Sequence, residues 1–352
     1  MSMVHTKHQD IASLDGWRAV AILIVATSHA GLGRLVPGGL GVTIFFFLSG
    51  YLITTLLLRE HASTGTINIR HFYLRRLLRL TPPLLLVLVA TYLLTYLGVF
   101  KGYATWTGFF AQLFYFANYY ALFFDAAHTV PQGTGVFWSL AVEEHFYFFF
   151  PALLLLSLRN AQRQRLPFYL GVACVMFLAW RCYLVMGVAV STERTYYATD
   201  TRIDSMLYGC ILATLSLTSQ WQQQLQTPKV RATAIWAGLL LLLSTLLVRS
   251  EVFRETVRYS LQGIALIPLF YYSVTNPELW PFRWLNAAWV RRIGVYSYSI
   301  YLAHYVMLNN VDRLFSYAPL NVLVALAVSL LFAVLVDRLI DAPLRVVRAR
   351  LR

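Results

Sequence analysis

Apolar runs of membrane-spanning length recur along the chain from Leu14 to Ile340, separated by short polar connections that carry most of the arginines. About twenty apolar residues let a helix cross the hydrocarbon layer, and without water there the backbone must satisfy its own hydrogen bonds. The pattern therefore predicts an all-α, polytopic membrane protein. Ten transmembrane helices are placed near 14–33, 39–58, 81–99, 136–157, 167–188, 203–218, 231–248, 259–275, 293–311 and 319–340. The stretch 107–124 is apolar and aromatic but interrupted by Gln112 and Asn118, so it reads as an interfacial or re-entrant segment rather than an eleventh crossing.

Composition agrees with this pattern. Of 352 residues, 59% are hydrophobic and only 12% charged, and the mean hydropathy is +0.60, too apolar for an ordinary soluble domain. One membrane domain over 1–352 is the economical organisation, with short tails near 1–12 and 344–352. The first span carries His29 and is followed by many others, so it is expected to be retained rather than removed as a signal peptide. No internal repeat or low-complexity linker is evident.

The net charge of +14 could suggest nucleic acid, but the basic residues sit in short clusters between apolar runs. They set topology instead, and no nucleic-acid partner is expected. With the N-terminus inside, eighteen Lys and Arg fall on inside connections and seven outside, which places both termini in the cytoplasm. Cys174, Cys182 and Cys210 all fall within spans and read as packing residues, not as a disulfide framework or a metal site.

Several polar groups stand out against this background. Arg18 and His29 lie eleven helical steps apart, which returns them to within about 20° of one face and separates them by about 16 Å along the axis. Such a stripe must face protein or water. Either Arg18 is an interfacial anchor and His29 a polar residue between helices, or the two belong to a site. The segment Arg70–Pro82 places Arg75, Arg76 and Arg79 ahead of a Pro-Pro helix start; it suits either anionic lipid or a phosphate-rich cytosolic ligand. Phe137–Pro151 carries Glu143, Glu144 and His145 into a span, where the carboxylates either serve a cavity or pair with a residue such as Arg181. Asp200, Arg202 and Asp204 form an outer-mouth cluster suited to hydroxyl groups or to helix capping. His304 ends the run YSYSIYLAH near mid-membrane, where Tyr and Ser also join helices.

Taken in order, LDGWRAVAILIVATSH, FFFLSGYLI, RRLLRLTP, FWSLAVEEHFYFFFP, TRIDSMLYG and YSIYLAH resemble the integral-membrane acyltransferase 3 family, which acylates sugars, polysaccharides and some small molecules. The resemblance covers nearly the whole chain. It implies a ten-helix O-acyltransferase in which Arg18 and His29 are essential and Glu144 with Tyr147 forms a further motif. Arg75, Arg76 and Arg79, with Ser49 and Gly50, would hold the acyl donor; Tyr147, Asp200, Arg202, Asp204 and His304 would be acceptor or motif residues. His145 stands where Gln is commoner, and Trp17 where Leu or a small residue is. Some members carry an added soluble domain; with the chain stopping at Arg352, none is expected here.

The residues suit the chemistry. Acyl transfer from a thioester to a hydroxyl needs a base, and a neutral imidazole can take the proton near neutral pH. The reading is His29 as general base, Arg18 positioning donor or helix, and Glu144 as the group that orients the ring; an acyl-histidine relay is the variant. Acyl-CoA, with acetyl-CoA foremost, is the expected co-substrate, with no permanent cofactor and no metal. The other partners are membrane lipid and a hydroxyl-bearing glycan acceptor, and the location is a bacterial inner membrane. A proton-coupled transporter using His29, Glu143, Glu144 and His304 is the alternative, weakened by the missing repeat. A non-catalytic scaffold would leave the buried His and Glu without a purpose.

Overall fold

In a computed structural model the chain is described over residues 12–159, 163–216, 222–311 and 318–351. Residues 1–11 of the tail expected near 1–12, with Lys7, and the basic residues Arg313 and Arg352 lie outside the described residues. Of the described residues 85% are helical, and no strand occurs among them.

The helices follow the apolar pattern, in the order α1 Ala12–Thr27, α2 Gly38–Thr64, α3 Ile69–Tyr96, α4 Trp106–Leu113, α5 Ala117–Phe123, α6 Trp138–Arg159 and α7 Leu166–Cys182. Short helices α8 Thr192–Tyr197 and α9 Thr199–Arg202 lead to α10 Asp204–Leu215. Then come α11 Gln222–Leu225, α12 Pro228–Leu247, α13 Glu251–Glu255, α14 Val257–Thr275, α15 Trp280–Arg283, α16 Ala288–Asn310, α17 Ala318–Val336 and α18 Ala342–Ala349.

Each of the ten expected spans contains a helix among its described residues, with 217–218 of the sixth outside them. Six segments among the described residues are long and apolar enough to cross a membrane: Gly38–Thr64, Ile69–Tyr96, Thr134–Leu158, Leu166–Val188, Pro228–Leu247 and Pro319–Ala349. The helices α1 and α10 are shorter, at 16 and 12 residues, while α14 and α16 carry polar residues along their lengths. These four hold much of the buried polar chemistry.

The centre is α2, buried on nearly all sides, as a helix apolar all round must be. It packs along α10 and α1, and α1 in turn packs along α16. The α2–α10 crossing is close because glycines face each other's backbone. A Cβ on Gly50 would lie 1.9 Å from the Met206 carbonyl oxygen, and one on Gly209 would lie 2.1 Å from that of Phe47. Small residues permit such approach where apolar burial gives helices no preference for each other over lipid.

Local chemistry moved several boundaries. Regular helix ends at Thr27 rather than 33: residues Ser28–Leu32 form a wide π-type turn, with Gly31 at φ +100°. The helix α3 begins at Ile69, not 81, because the Asn68 side chain caps it by accepting from the His71 backbone N–H. The arginine cluster is therefore helical, and Pro82 and Pro83 lie inside the helix. The 107–124 stretch breaks into α4 and α5 around Tyr115, a non-glycine residue at φ +60°, and neither piece is long enough to cross. Its polar interruptions are anchors: Gln112 donates to Thr134 (2.8 Å) and Asn118 to Thr199 (3.0 Å). The expected tail at 344–352 is instead largely helix α18, tied to α3 where Arg75 donates to the Leu351 carbonyl at 2.6 Å. Cys174, Cys182 and Cys210 are free thiols, and Cys174 and Cys210 pack in the core.

Candidate active site

Two polar centres occupy opposite ends of α1, one around Arg18 and one around His29. At the arginine end, Arg18 donates to Asp15 at 2.7 Å, an i, i+3 pair. Its charge also reaches Glu143 and Arg79.

Three consecutive residues of α6 point three ways, as about 100° per residue requires. Glu143 accepts from the Ser49 hydroxyl of α2 (3.1 Å) and from Tyr147 one turn on (3.2 Å). Glu144 lines a cavity of about 200 Å³ together with Tyr73, Arg76, Leu80, Tyr115 and Tyr147. His145 turns away to Thr199, with Nδ1 2.7 Å from its hydroxyl, and packs against Tyr119 and Phe116.

The three arginines of α3 also diverge. Arg75 is engaged by Glu60 (3.1 Å) as well as by Leu351. Arg76 faces the cavity, with its guanidinium 4.6 Å from the centre of the Tyr147 ring. Arg79 is exposed, and the charges of Arg18, Arg76 and Arg348 act on it. Tyr115 reaches the cavity because the α4–α5 break forces its backbone into the left-handed region, a conformation that costs a side-chain-bearing residue energy and recurs at functional sites.

At the other end, His29 sits in the wide turn that follows α1. Its Nδ1 lies 2.9 Å from Nε2 of His304 on α16. The ring planes are within 14° and the centroids 5.2 Å apart, a separation that equals the N···N distance plus two ring radii, so the bond lies in the plane of both rings. Tyr305 covers one face of His29 at 4.3 Å. His304 is fully buried, and its Nδ1 lies 2.8 Å from the Tyr301 carbonyl and 3.2 Å from that of Ile300. The Tyr301 hydroxyl pairs with Ser139 (2.7 Å) and donates to the Val136 carbonyl (3.0 Å), locking α16 to the entry of α6.

The structure thus separates residues that the sequence reading had joined. His29 is oriented by His304 and not by Glu144, which belongs to the Arg76 cavity. Gly50 is taken up by the α2–α10 crossing rather than opening onto a donor, while Ser49 beside it turns to Glu143. Asp204 is not at an open mouth: it is fully buried in an ion pair with Arg181 at 2.8 Å, so Arg181 pairs with neither glutamate. Asp200 is held by Arg194 (2.6 and 2.9 Å) and the Trp180 indole (2.7 Å). Neither aspartate caps its helix. Arg202 is buried among the rings of Phe46, Trp138, Tyr196 and Tyr259, the nearest at 4.0 Å.

Tyr305 is the residue that sequence reasoning passed over, and Glu143, named beside Glu144 and for a transporter's proton relay, was not given a part in the acyltransferase site. Glu143 stands four positions before Tyr147 and so on its face, a spacing that could have singled it out over Glu144. For Tyr305 the only signal was adjacency to His304.

Comparison with known proteins adds a second line of observation. The family model described as an acyltransferase domain matches residues 11–338. A Staphylococcus aureus (strain COL) protein named as an O-acetyltransferase is 30% identical over 97% of this chain and 58% of its own length. The peptidoglycan O-acetyltransferase OatA of Listeria monocytogenes is 28% identical over 95% of this chain and 56% of its own. The O-acetyltransferase OatA of Staphylococcus aureus (strain NCTC 8325) is 28% identical over 95% and 57%. The chain therefore spans somewhat over half the length of these curated relatives. No solved structure matches.

Proposed function

Because the chain belongs to the acyltransferase 3 family, we propose that it is a multi-pass O-acyltransferase of a bacterial inner membrane, moving an acetyl group from acetyl-CoA to a sugar hydroxyl of an envelope or exported glycan. The choice of acetyl, and of a glycan as acceptor, rests on what the relatives are named for.

The observation that carries the reading is the state of the His29 ring. Its Nδ1 is bonded to His304 and one face is covered by Tyr305, while no protein group among the described residues hydrogen-bonds Nε2. An imidazole anchored on one side and open on the other is what a general base requires. In the reaction, Nε2 takes the proton of the acceptor hydroxyl as its oxygen bonds to the thioester carbonyl carbon. The C–S bond then breaks, and the departing CoA thiolate recovers the proton from the imidazolium.

Arg76 is the side chain best placed to meet a donor phosphate, since it lines the cavity and has no carboxylate bond among the described residues, and the planar guanidinium fork suits phosphate oxygens. At that end Arg18 is held by Asp15 within α1, and Glu143 ties α6 to α2 through Ser49. The donor enters from the arginine end and the acceptor reaches the histidine end.

The test is thiol release from acetyl-CoA by purified protein in lipid, with a pool of sugar acceptors. Folded His29→Ala is expected to lose about 10²- to 10⁴-fold in kcat, the usual worth of a positioned base. A parent that turns over while His29→Ala keeps most of its rate refutes the base.

A further inference from the structure

The histidine pair contains more than proximity. Oxygen of a backbone carbonyl only accepts hydrogen bonds, so the His304 nitrogen 2.8 Å from the Tyr301 carbonyl is protonated: His304 carries its hydrogen on Nδ1. A neutral His304 then presents a bare lone pair at Nε2. The in-plane contact at 2.9 Å needs one hydrogen between the two rings, and that hydrogen belongs to His29 Nδ1. The remaining nitrogen of His29, Nε2, is left with its lone pair. A doubly protonated His304 would reverse this, but the ring is fully buried with no carboxylate among its described partners, and an unpaired buried charge is costly.

We propose that His304 is a positioning residue that sets the tautomer of His29, so that the lone pair stands on the nitrogen open to the acceptor. The inference rests on the general-base reading above. Tyr301 supplies the fixed point of the chain: its carbonyl orients His304, while its hydroxyl, held by Ser139 and Val136, keeps that turn of α16 in place. When Nε2 gains the hydroxyl proton, the Nδ1–H of the new imidazolium still points at the His304 lone pair. The arrangement has the logic of a base oriented by a third group, with a neutral imidazole backed by a peptide carbonyl where a carboxylate usually stands.

Two measurements test it on the full chain in lipid. The first is the ¹⁵N spectrum of labelled histidine in the parent, assigned by its loss in His29→Gln. His29 is expected in the Nδ1–H form, and an Nε2–H form overturns the proposal without any variant at 304. The second compares His304→Leu, His304→Asn and His304→Gln. A Gln side chain can return an acceptor oxygen to the position of Nε2, whereas Asn is too short and Leu offers none. His304→Leu and His304→Asn are expected to lose about 10- to 100-fold in kcat with KM for donor little changed, the usual worth of a group that orients a site ligand, and His304→Gln to recover most of it. In folded His304→Leu the His29 signal is expected to leave the Nδ1–H form. An unchanged tautomer there, or equal loss in all three variants, overturns the proposal. Full activity in His29→Ala would sink the base reading instead, leaving the tautomer result standing.

Discussion

Replacing Asp204 by alanine separates a structural role from an acceptor-binding one. The Arg181 guanidinium and Asp204 carboxylate are both 0% exposed and 2.8 Å apart. At an effective dielectric constant near 20, that distance corresponds to about 6 kcal/mol of gross attraction. Arg181 has further acceptors in the Thr256 carbonyl (3.0 Å), the Thr201 carbonyl (2.7 Å) and the Ser260 hydroxyl (2.7 Å), all neutral. Asp204→Ala keeps those bonds but leaves the cation unpaired, for which about 3–5 kcal/mol is the expected loss. With an unfolding entropy of about 2.1 cal/mol/K per residue, this lowers the midpoint by about 4–7 °C. The assay is thermal unfolding in detergent followed by labelling of Cys174 and Cys210, both buried in the native state. The double variant Arg181→Met/Asp204→Leu, which removes both charges, is expected to recover most of the loss. If the double variant is no more stable than Asp204→Ala, or if Asp204→Ala changes acceptor KM without changing the midpoint, the ion-pair reasoning is refuted.

Two further outcomes follow from the geometry. Gly50→Ala would place a methyl 1.9 Å from the Met206 carbonyl oxygen in a crossing with no slack, so α2 and α10 must separate; a loss of about 1–3 kcal/mol, read as a lower unfolding midpoint, is expected, and an unchanged midpoint would deny the close approach. Arg76→Ala is expected to raise KM for acetyl-CoA about tenfold with a smaller change in kcat, while Arg75→Ala, which gives up Glu60 and Leu351, shows itself mainly in stability; the reverse assignment in donor titrations would move the phosphate seat to Arg75.

Helix placement was legible because bilayer thickness sets the length of an apolar run. A helix lies within each of the ten expected spans, six segments among the described residues being long and apolar enough to cross, and even the odd stretch at 107–124 was marked by Gln112 and Asn118. The ends were less legible, since they depend on local hydrogen bonds: an Asn68 cap started α3 twelve residues early, and the wide turn at Ser28 ended α1 just before His29.

The amino-acid order by itself determined the class of protein, the helices, and the short roster of ionisable groups from which any site had to be built, because an arginine, histidine or glutamate inside an apolar run must face something other than lipid. What each would face was decided only by tertiary structure. Glu143, Glu144 and His145 are neighbours in sequence, yet one meets Ser49, one a cavity and one Thr199, according to how α6 is rotated against α2 and α5. Arg181 found Asp204 rather than a glutamate because α7 and α10 are adjacent. His29 and His304 are 275 residues apart and share one hydrogen bond because α1 packs along α16. Periodicity reports which face of a helix is polar; which other helix that face meets is set by the packing of the whole bundle.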